Sequence, residues 1–184
     1  MSLPSWNTAR FGKPIASILG AGDRLPELAP KTGDESARIK LDKLAGEKAA
    51  PPQVMAGLYL YFDLLDPSHK IAQEIESPSG SYWHGMMHRR EPDDDNSAYW
   101  FRRVGEHPSL AAFSPQARKH LQDSGQAALA KELYKGQSWD PFAFIKACSA
   151  ARRDGKPERV RLLNELQLLE WRCLFDYCFD QPLS

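Results

Sequence analysis

Residues 53–65, QVMAGLYLYFDLL, are apolar on nearly every side, and the class of fold depends on whether they form a strand or a helix. Every second residue between positions 58 and 64 is large and apolar, as in a strand. The run is longer than a typical strand, however, and we find no second strand candidate in the sequence to pair with it. The stretch therefore predicts a buried helix, and the chain as a whole an all-α fold.

Sequences on either side carry further helix signals. The dipeptide Asp-Pro at 66–67 and 140–141 combines a helix N-cap residue with a proline suited to the first helical position, and Lys-Pro at 156–157 opens the last helix. Residues 77–80, SPSG, are typical of a turn. We predict an irregular bundle of about seven helices. The eight candidate segments are residues 34–48, 53–65, 68–76, 81–91, 96–104, 115–134, 140–153 and 157–180.

The N-terminal part of the chain lacks this pattern. Residues 1–33 contain four prolines and four glycines and no sustained hydrophobic periodicity. They predict an extended, proline-rich arm, followed by a single helical domain over residues 34–184. A chain of 184 residues is long enough for one domain with a substantial core and marginal for two.

Composition limits the partners that we expect. Lys and Arg number 24, as do Asp and Glu, so the formal net charge is zero. Proteins that bind nucleic acids or anionic membrane surfaces usually carry a basic excess, so we expect neither partner. We expect a soluble cytoplasmic protein, because no apolar run of signal-peptide length opens the chain and the longest apolar stretch is too short to span a bilayer. The three cysteines include no CxxC pair and predict small apolar residues rather than a disulfide, a structural zinc site or a catalytic thiol.

Residues 81–108, SYWHGMMHRREPDDDNSAYWFRRVGEHP, hold three of the five histidines and alternate between basic and acidic blocks. On a helical wheel His84, His88 and Glu91 lie within about 60° of one another, beside the apolar face. Two imidazoles at i and i+4 can reach one metal ion, and a carboxylate one turn later completes a set of two histidines and one carboxylate. Gly85 stands where zinc proteases carry glutamate, so protease chemistry is not indicated. These three residues are candidate ligands of a divalent metal, and histidines hydrogen-bonded at a helix interface fit the pattern equally well.

A second polar face follows on the next predicted helix. An amide, a phenol, an indole and a guanidinium occupy about 100° of its circumference and suit a ligand with a planar or anionic part. The alternative is a network between helices, in which Arg102 or Arg103 pairs with Glu91 or with the acidic run 93–95. The residues of this face are Asn96, Tyr99, Trp100 and Arg103.

An acidic residue interrupts the apolar stripe of the last helix. Glu170 falls near the centre of that stripe, where an ionised carboxylate is costly unless it is paired. Arg90, Arg103 or a histidine–metal group are the partners that we expect. Glu170 is therefore either a member of the site or half of a buried structural ion pair.

Residues 84–108 resemble a block of an uncharacterised family of bacterial and fungal proteins, with the form H-x(3)-H-x-R-E-x-D-x-x-N-x-x-Y-W-x-R-x-x-G-x-H-P. The resemblance covers about 25 residues, with ELQLLEW at residues 165–171 as a second candidate stretch, and it implies no activity. The residues that we single out from it are His84, His88, Arg90, Glu91, Asn96, Tyr99, Trp100, Arg103 and His107.

Two functions fit these residues. The first is a small-molecule site, enzymatic or binding and with or without a metal, built from residues 81–108 and closed by the last helix. The second is a non-enzymatic interaction or structural module, in which the same residues form a buried polar network. In the first, the candidate catalytic residues are His84, His88, Glu91 and His107, and the candidate ligand-binding residues are Arg90, Asn96, Tyr99, Trp100, Arg103 and Glu170.

Overall fold

The computed structural model describes residues 3–181 and confirms the all-α prediction, because 71% of these residues are helical. Within the described residues the chain forms ten α-helices rather than about seven, together with a 3-10 helix at Thr8–Phe11. The helices are α1 (Gly12–Leu19), α2 (Glu35–Gly46), α3 (Pro52–Tyr61), α4 (Leu65–Ala72), α5 (Pro78–Arg90), α6 (Asp94–Val104), α7 (Pro108–Asp123), α8 (Ala127–Leu133), α9 (Pro141–Asp154) and α10 (Pro157–Asp180). No helix among the described residues has the length and hydropathy needed to cross a membrane.

The apolar stretch 53–65 folds as a helix with a sharp end. Helix α3 stops at Tyr61, and Asp63 adopts a positive φ of 61°, which turns the chain before α4 begins. Asp66 consequently lies in the first turn of α4, whose N-cap is Leu64, and does not cap the helix as predicted. The prediction that the sequence contains no pair of strands was wrong in one place. Tyr134–Lys135 and Ser138–Trp139 form an antiparallel hairpin.

Helix α7 begins seven residues before the predicted start. His107 caps it through a hydrogen bond from the backbone N–H of Ser109 to its Nδ1 atom, at 3.1 Å, and Pro108 takes the first helical position. Pro115, which we expected to open this helix, lies inside it. Residues 77–80 are likewise not a free turn, since Ser77 caps α5 and Pro78 begins it.

The N-terminal segment is not simply extended, because it contains the 3-10 helix and α1. Its aromatic residues pack on α10, where the Trp6 and Phe11 rings lie 5.5 Å from Trp171 and 5.0 Å from Phe175, respectively. Arg172 adds a hydrogen bond of 2.8 Å to the carbonyl of Pro4. The segment is therefore fixed along the C-terminal helix by edge-to-face aromatic contacts and by a hydrogen bond to its backbone.

Helix α10 contributes to both hydrophobic clusters of the described chain. One of its faces, including Trp171 and Phe175, packs in the cluster that α3 and α5 share. Another face, including Leu163 and Leu166, packs with α7, α8 and α9. The long helix thus divides the interior into two parts, and α5 lies in the first of them.

Helices α5 and α6 form the tight hairpin that the segment 81–108 predicts. A Cβ atom at Gly85 would lie only 2.9 Å from the ring of Phe101, so glycine permits the close approach of the two helices. The Ser97 hydroxyl donates a hydrogen bond of 2.7 Å to the carbonyl of Gly85 at the same crossing. The residue that departs from the zinc-protease pattern is therefore used for helix packing.

Candidate metal centre

Helix α5 brings two histidines together on one face, as their spacing predicts. The imidazoles of His84 and His88, one helical turn apart, are stacked with their ring centroids 4.9 Å apart and their planes 13° apart. Both side chains are buried, at 3% and 6% exposure, at the boundary of the α5 core face. The pair therefore presents two nitrogen ligands in a space shielded from water.

A third histidine comes from helix α4. The ring of His69 lies 4.6 Å from His84 and 5.2 Å from His88, in edge-to-face orientations. One ligand atom of each of the three residues lies within 4.8 Å of the others. His69 is only half-buried, so the cluster is open to solvent on the α4 side. The sequence analysis missed this residue because only the packing of α4 on α5 brings it close.

The geometry fits a metal ion with a modest closure. Zinc–imidazole bonds of about 2.0–2.1 Å place the nitrogens of a tetrahedral site about 3.4 Å apart. The three rings would thus approach one another by at most about 1.4 Å, which rotation of the side chains can supply. Three protein ligands leave a fourth position for water or for another ligand.

Burial favours the neutral form of His84 and His88, which is the form that binds metals. Burial of the ring, with the neighbouring His88 and His69 adding to the effect, lowers the pKa of His84 to about 3. The pKa of His88 is also lowered, chiefly by burial, although the nearby Glu91 carboxylate opposes this shift. The Nδ1 atom of His84 is buried and has no hydrogen-bond partner among the described residues. The rings of His84 and His88 therefore each offer one nitrogen lone pair near neutral pH.

Glu91 lies beside the cluster and outside its set of ligand atoms. Its Oε2 atom is 3.0 Å from Nδ1 of His88, and the carboxylate can only accept in this hydrogen bond. The proton of His88 is thus on Nδ1, which leaves Nε2 with a free lone pair. Carboxylates commonly orient metal-binding histidines in this way. Glu91 thus contacts only His88, and the residue that joins His84 and His88 in one group of possible ligand atoms is His69.

The aromatic face of α6 covers the cluster. The Trp100 ring stacks on His84 with centroids 3.9 Å apart and planes 14° apart. The guanidinium of Arg103 lies 5.5 Å from the centroid of Trp100 and 5.9 Å from that of Tyr99. Tyr99 itself is 47% exposed. Three of the four residues predicted on this face therefore form one aromatic and cationic surface beside the histidines.

Four further candidates lie elsewhere. Asn96 is exposed in the first turn of α6, where it donates a hydrogen bond of 2.6 Å to Asp93. His107 caps α7, and its Nε2 atom is 3.1 Å from the Ser79 hydroxyl. Arg90 is buried in an ion pair with Asp63 and donates a hydrogen bond to the carbonyl of Leu60, 2.6 Å away. Glu170, the fourth, lies in the core.

The partner of Glu170 is Arg89, a residue that we did not consider for this role. The Arg89 guanidinium lies 2.6 Å from the Glu170 carboxylate, and both side chains are completely buried. Tyr82 donates a hydrogen bond of 3.0 Å to the same carboxylate. Glu170 thus pairs with neither Arg90, Arg103 nor a histidine, and α10 does not close the cluster.

The expected pairing of Arg102 or Arg103 with the acidic run also differs. Asp93 caps α6 by accepting a hydrogen bond from the backbone N–H of Asn96. Asp94 forms its ion pair with Arg152 of α9, at 2.9 Å. The Arg102 guanidinium lies 6.0 Å from the ring of Phe142. The acidic run therefore fixes α6 to α9 and leaves both arginines of α6 outside that network.

The three cysteines are buried, as expected for small apolar residues. Burial raises the pKa of Cys148 and Cys173 to about 12 and that of Cys178 to about 11, so the thiols stay protonated at neutral pH.

None of the protein-family models, curated proteins or solved structures with which the chain was compared matches it. The resemblance of residues 84–108 to an uncharacterised family therefore stays a prediction, and the argument for function depends on the residues themselves.

Proposed function

We propose that the protein is a metalloprotein in which His69, His84 and His88 bind one divalent transition metal ion. The observation that carries the proposal is the convergence of three imidazoles from two helices, with their ligand atoms within 4.8 Å of one another. Imidazole suits zinc, copper, iron and nickel, whereas magnesium and calcium prefer oxygen ligands. Zinc is the favoured ion, because the three nitrogens suit a tetrahedral site whose fourth position is vacant.

The vacant position supports a catalytic or ligand-binding centre. Structural zinc sites normally have four protein ligands, whereas catalytic sites have three and keep one position for water or substrate. A metal ion held in this way acts as a Lewis acid and makes a bound water more acidic. The chain's own contribution is to hold the rings: Glu91 fixes the tautomer of His88, and Trp100 covers one face of His84.

Titration of the metal-free protein with zinc, monitored by isothermal titration calorimetry, tests the proposal. We expect one ion per chain, and a loss of affinity of more than about 100-fold in either His69→Gln or His84→Gln, since even the loss of a group that orients a ligand costs about 10- to 100-fold. The matched control is His120→Gln. His120 is a buried histidine bonded to Glu165 at 2.9 Å, away from the cluster, and its replacement should leave the zinc affinity unchanged.

Cobalt provides a second readout, because its visible absorption reports the number and geometry of its ligands. A tetrahedral cobalt spectrum in the wild type that disappears in His69→Gln supports the site. Failure of zinc and cobalt to bind the wild type stoichiometrically would overturn the proposal. The non-enzymatic module would then be the better interpretation, since Arg89, Arg90 and Glu170 are already held in buried ion pairs.

A further inference from the structure

A groove adjoins the histidine cluster on the far side of Trp100. It has a volume of about 760 Å³ and lies between the end of α4, the start of α5 and the last turn of α6. Trp100 lines the groove and also stacks on His84, and Ser81 lies one helical turn before His84 on α5. The groove and the candidate metal centre therefore share a wall. The groove residues that matter here are Gln73, Glu76, Ser77, Ser81, Trp100 and Arg103.

The groove offers hydrogen-bond donors that the fold does not use. Ser81 is 93% buried, with an exposure of 7%, and its hydroxyl makes no hydrogen bond to another described residue. The indole N–H of Trp100 likewise makes no hydrogen bond to another described residue, and Trp100 is partly exposed. Neither atom is among the fully buried atoms that lack a partner, so both face the open groove, where a ligand that accepts hydrogen bonds can reach them.

Arg103 adds a cation that is already oriented. Its guanidinium is held against the rings of Tyr99 and Trp100, and no carboxylate of the described residues forms an ion pair with it. Arginine held in this way presents parallel N–H groups that match a carboxylate or a phosphate. The positive end of the α5 dipole, at Ser77 and Pro78, lies in the same groove and also favours an anion.

Glu76 restricts the charge of that anion. Its carboxylate lines the same groove, so the charged side chains of Arg103 and Glu76 sum to zero. A dianion such as phosphate would meet repulsion from Glu76, whereas a monoanion needs only one favourable contact with Arg103. The exposed face of the Trp100 indole suits a planar body attached to the anionic group.

We propose that this groove binds a small organic carboxylate through Arg103, Ser81 and the indole of Trp100. Its role as the substrate pocket of the metal centre rests on the proposed function, whereas binding of the carboxylate itself does not. The substrate class is then an organic monocarboxylate with a planar portion, held against Trp100, whose ring stacks on His84.

Benzoate is the probe, because it carries one carboxylate on a planar ring. Its binding to the full chain is measured by calorimetry, first with the protein kept metal-free and then with zinc added, and the indole N–H resonance of Trp100 is followed by NMR. We expect Arg103→Gln to weaken binding by about 10- to 100-fold, the usual range for loss of a charged hydrogen-bonding partner. Ser81→Ala should weaken it less, by up to about 10-fold.

Arg102→Gln is the matched control. Arg102 is the preceding arginine of the same helix and is equally exposed, but it approaches Phe142 rather than the groove. The proposal is supported if Arg103→Gln lowers the affinity for benzoate and Arg102→Gln leaves that affinity unchanged. Equal losses in both variants, no binding by the wild type, or phosphate binding tighter than benzoate would overturn it.

Zinc titration of Arg103→Gln separates the two proposals. Since this arginine is not a ligand of the ion, zinc affinity should be unchanged in the variant that has lost benzoate. Benzoate binding to a wild-type protein that takes up no zinc would refute the metal centre alone. Zinc binding without benzoate binding would refute the carboxylate groove alone.

Discussion

Replacing Glu170 by glutamine should destabilise the protein by about 3–5 kcal/mol. Arg89 and Glu170 are both fully buried and lie 2.6 Å apart, so the substitution leaves a guanidinium without a counter-charge in the core. At an effective dielectric constant of about 20, two charges at this distance attract one another by roughly 6 kcal/mol. Part of this attraction is offset in the variant, because no carboxylate has to be desolvated and the amide oxygen of glutamine can still accept a hydrogen bond from Tyr82. The net decrease in the free energy of unfolding is therefore about 3–5 kcal/mol.

Urea denaturation at neutral pH measures this loss as the change in the free energy of unfolding. The matched control is Glu132→Gln, which breaks the ion pair between Glu132 and Arg159. This pair is 2.9 Å long, but its side chains are 42% and 28% exposed. Solvent screening limits that cost to less than about 1 kcal/mol. Adding Arg89→Met to Glu170→Gln should restore part of the stability, because the unpaired charge is removed. A Glu170→Gln loss no larger than that of the control would refute the reasoning.

Two further predictions concern a pH dependence and a helix contact. Burial lowers the pKa of His107 to about 4. Between pH 6.5 and pH 4 the unfolded chain therefore binds a proton that the folded chain does not. The free energy of unfolding should decrease by up to about 3 kcal/mol as the pH is lowered through this window. In His107→Asn, which keeps a capping side chain, urea denaturation at several pH values in this window should give a shallower decline; an unchanged decline would contradict the assignment. Gly85→Ala should lower the free energy of unfolding by about 1 kcal/mol, because overpacking against Phe101 costs about 1–3 kcal/mol and the helix propensity of alanine returns up to about 1 kcal/mol. The control is Gly46→Ala, because a Cβ atom at Gly46 would meet nothing within 4 Å, and this substitution should raise the free energy of unfolding. Equal effects of the two substitutions would contradict the proposed close packing of Gly85 on Phe101.

The helical class was predictable because local signals and hydrophobic pattern agree along most of the chain. The Asp-Pro start of α9 and the Lys-Pro start of α10 were predicted within a residue, since caps and prolines act locally. The N-terminal segment was not, because α1 is short and the aromatic residues that fix the segment, Trp6 and Phe11, contact α10 at the other end of the chain. Such contacts leave no periodic signal in the segment itself.

The candidate site divides in the same way. The pairing of His84 with His88 follows from helical spacing alone, and their rings do stack. His69 carries no such signal, since it lies on a different helix and meets the pair only after α4 packs on α5. Glu91 follows the helical rule as well, because it reaches His88 three residues away, but its distance from the other rings makes it a partner of one histidine.

Buried charge was the least predictable feature. The helical wheel assigns Arg90 to the core side and gives Arg89 no special place, whereas both are buried in ion pairs with different elements. A net charge of zero is compatible with either outcome, because composition does not record which opposite charges meet. The carboxylates that pair with them, Asp63 and Glu170, are 26 residues or more away in sequence and become neighbours only through tertiary packing.

These ion pairs matter for the histidines although they do not touch them. At about 100° per residue, Arg90 points about 140° from the mean direction of His84 and His88, and Arg89 about 120° from it on the other side. Arg90 is held by Asp63 at the end of α3, and Arg89 by Glu170 of α10. Two ion pairs therefore hold helix α5 on two sides, and the histidines face α4 on a third side. The ion pairs restrict rotation of the helix about its own axis. Because ligand atoms must be held to within about half an ångström of their productive positions, this buried charge gives the histidine cluster the rigid support that a metal centre needs.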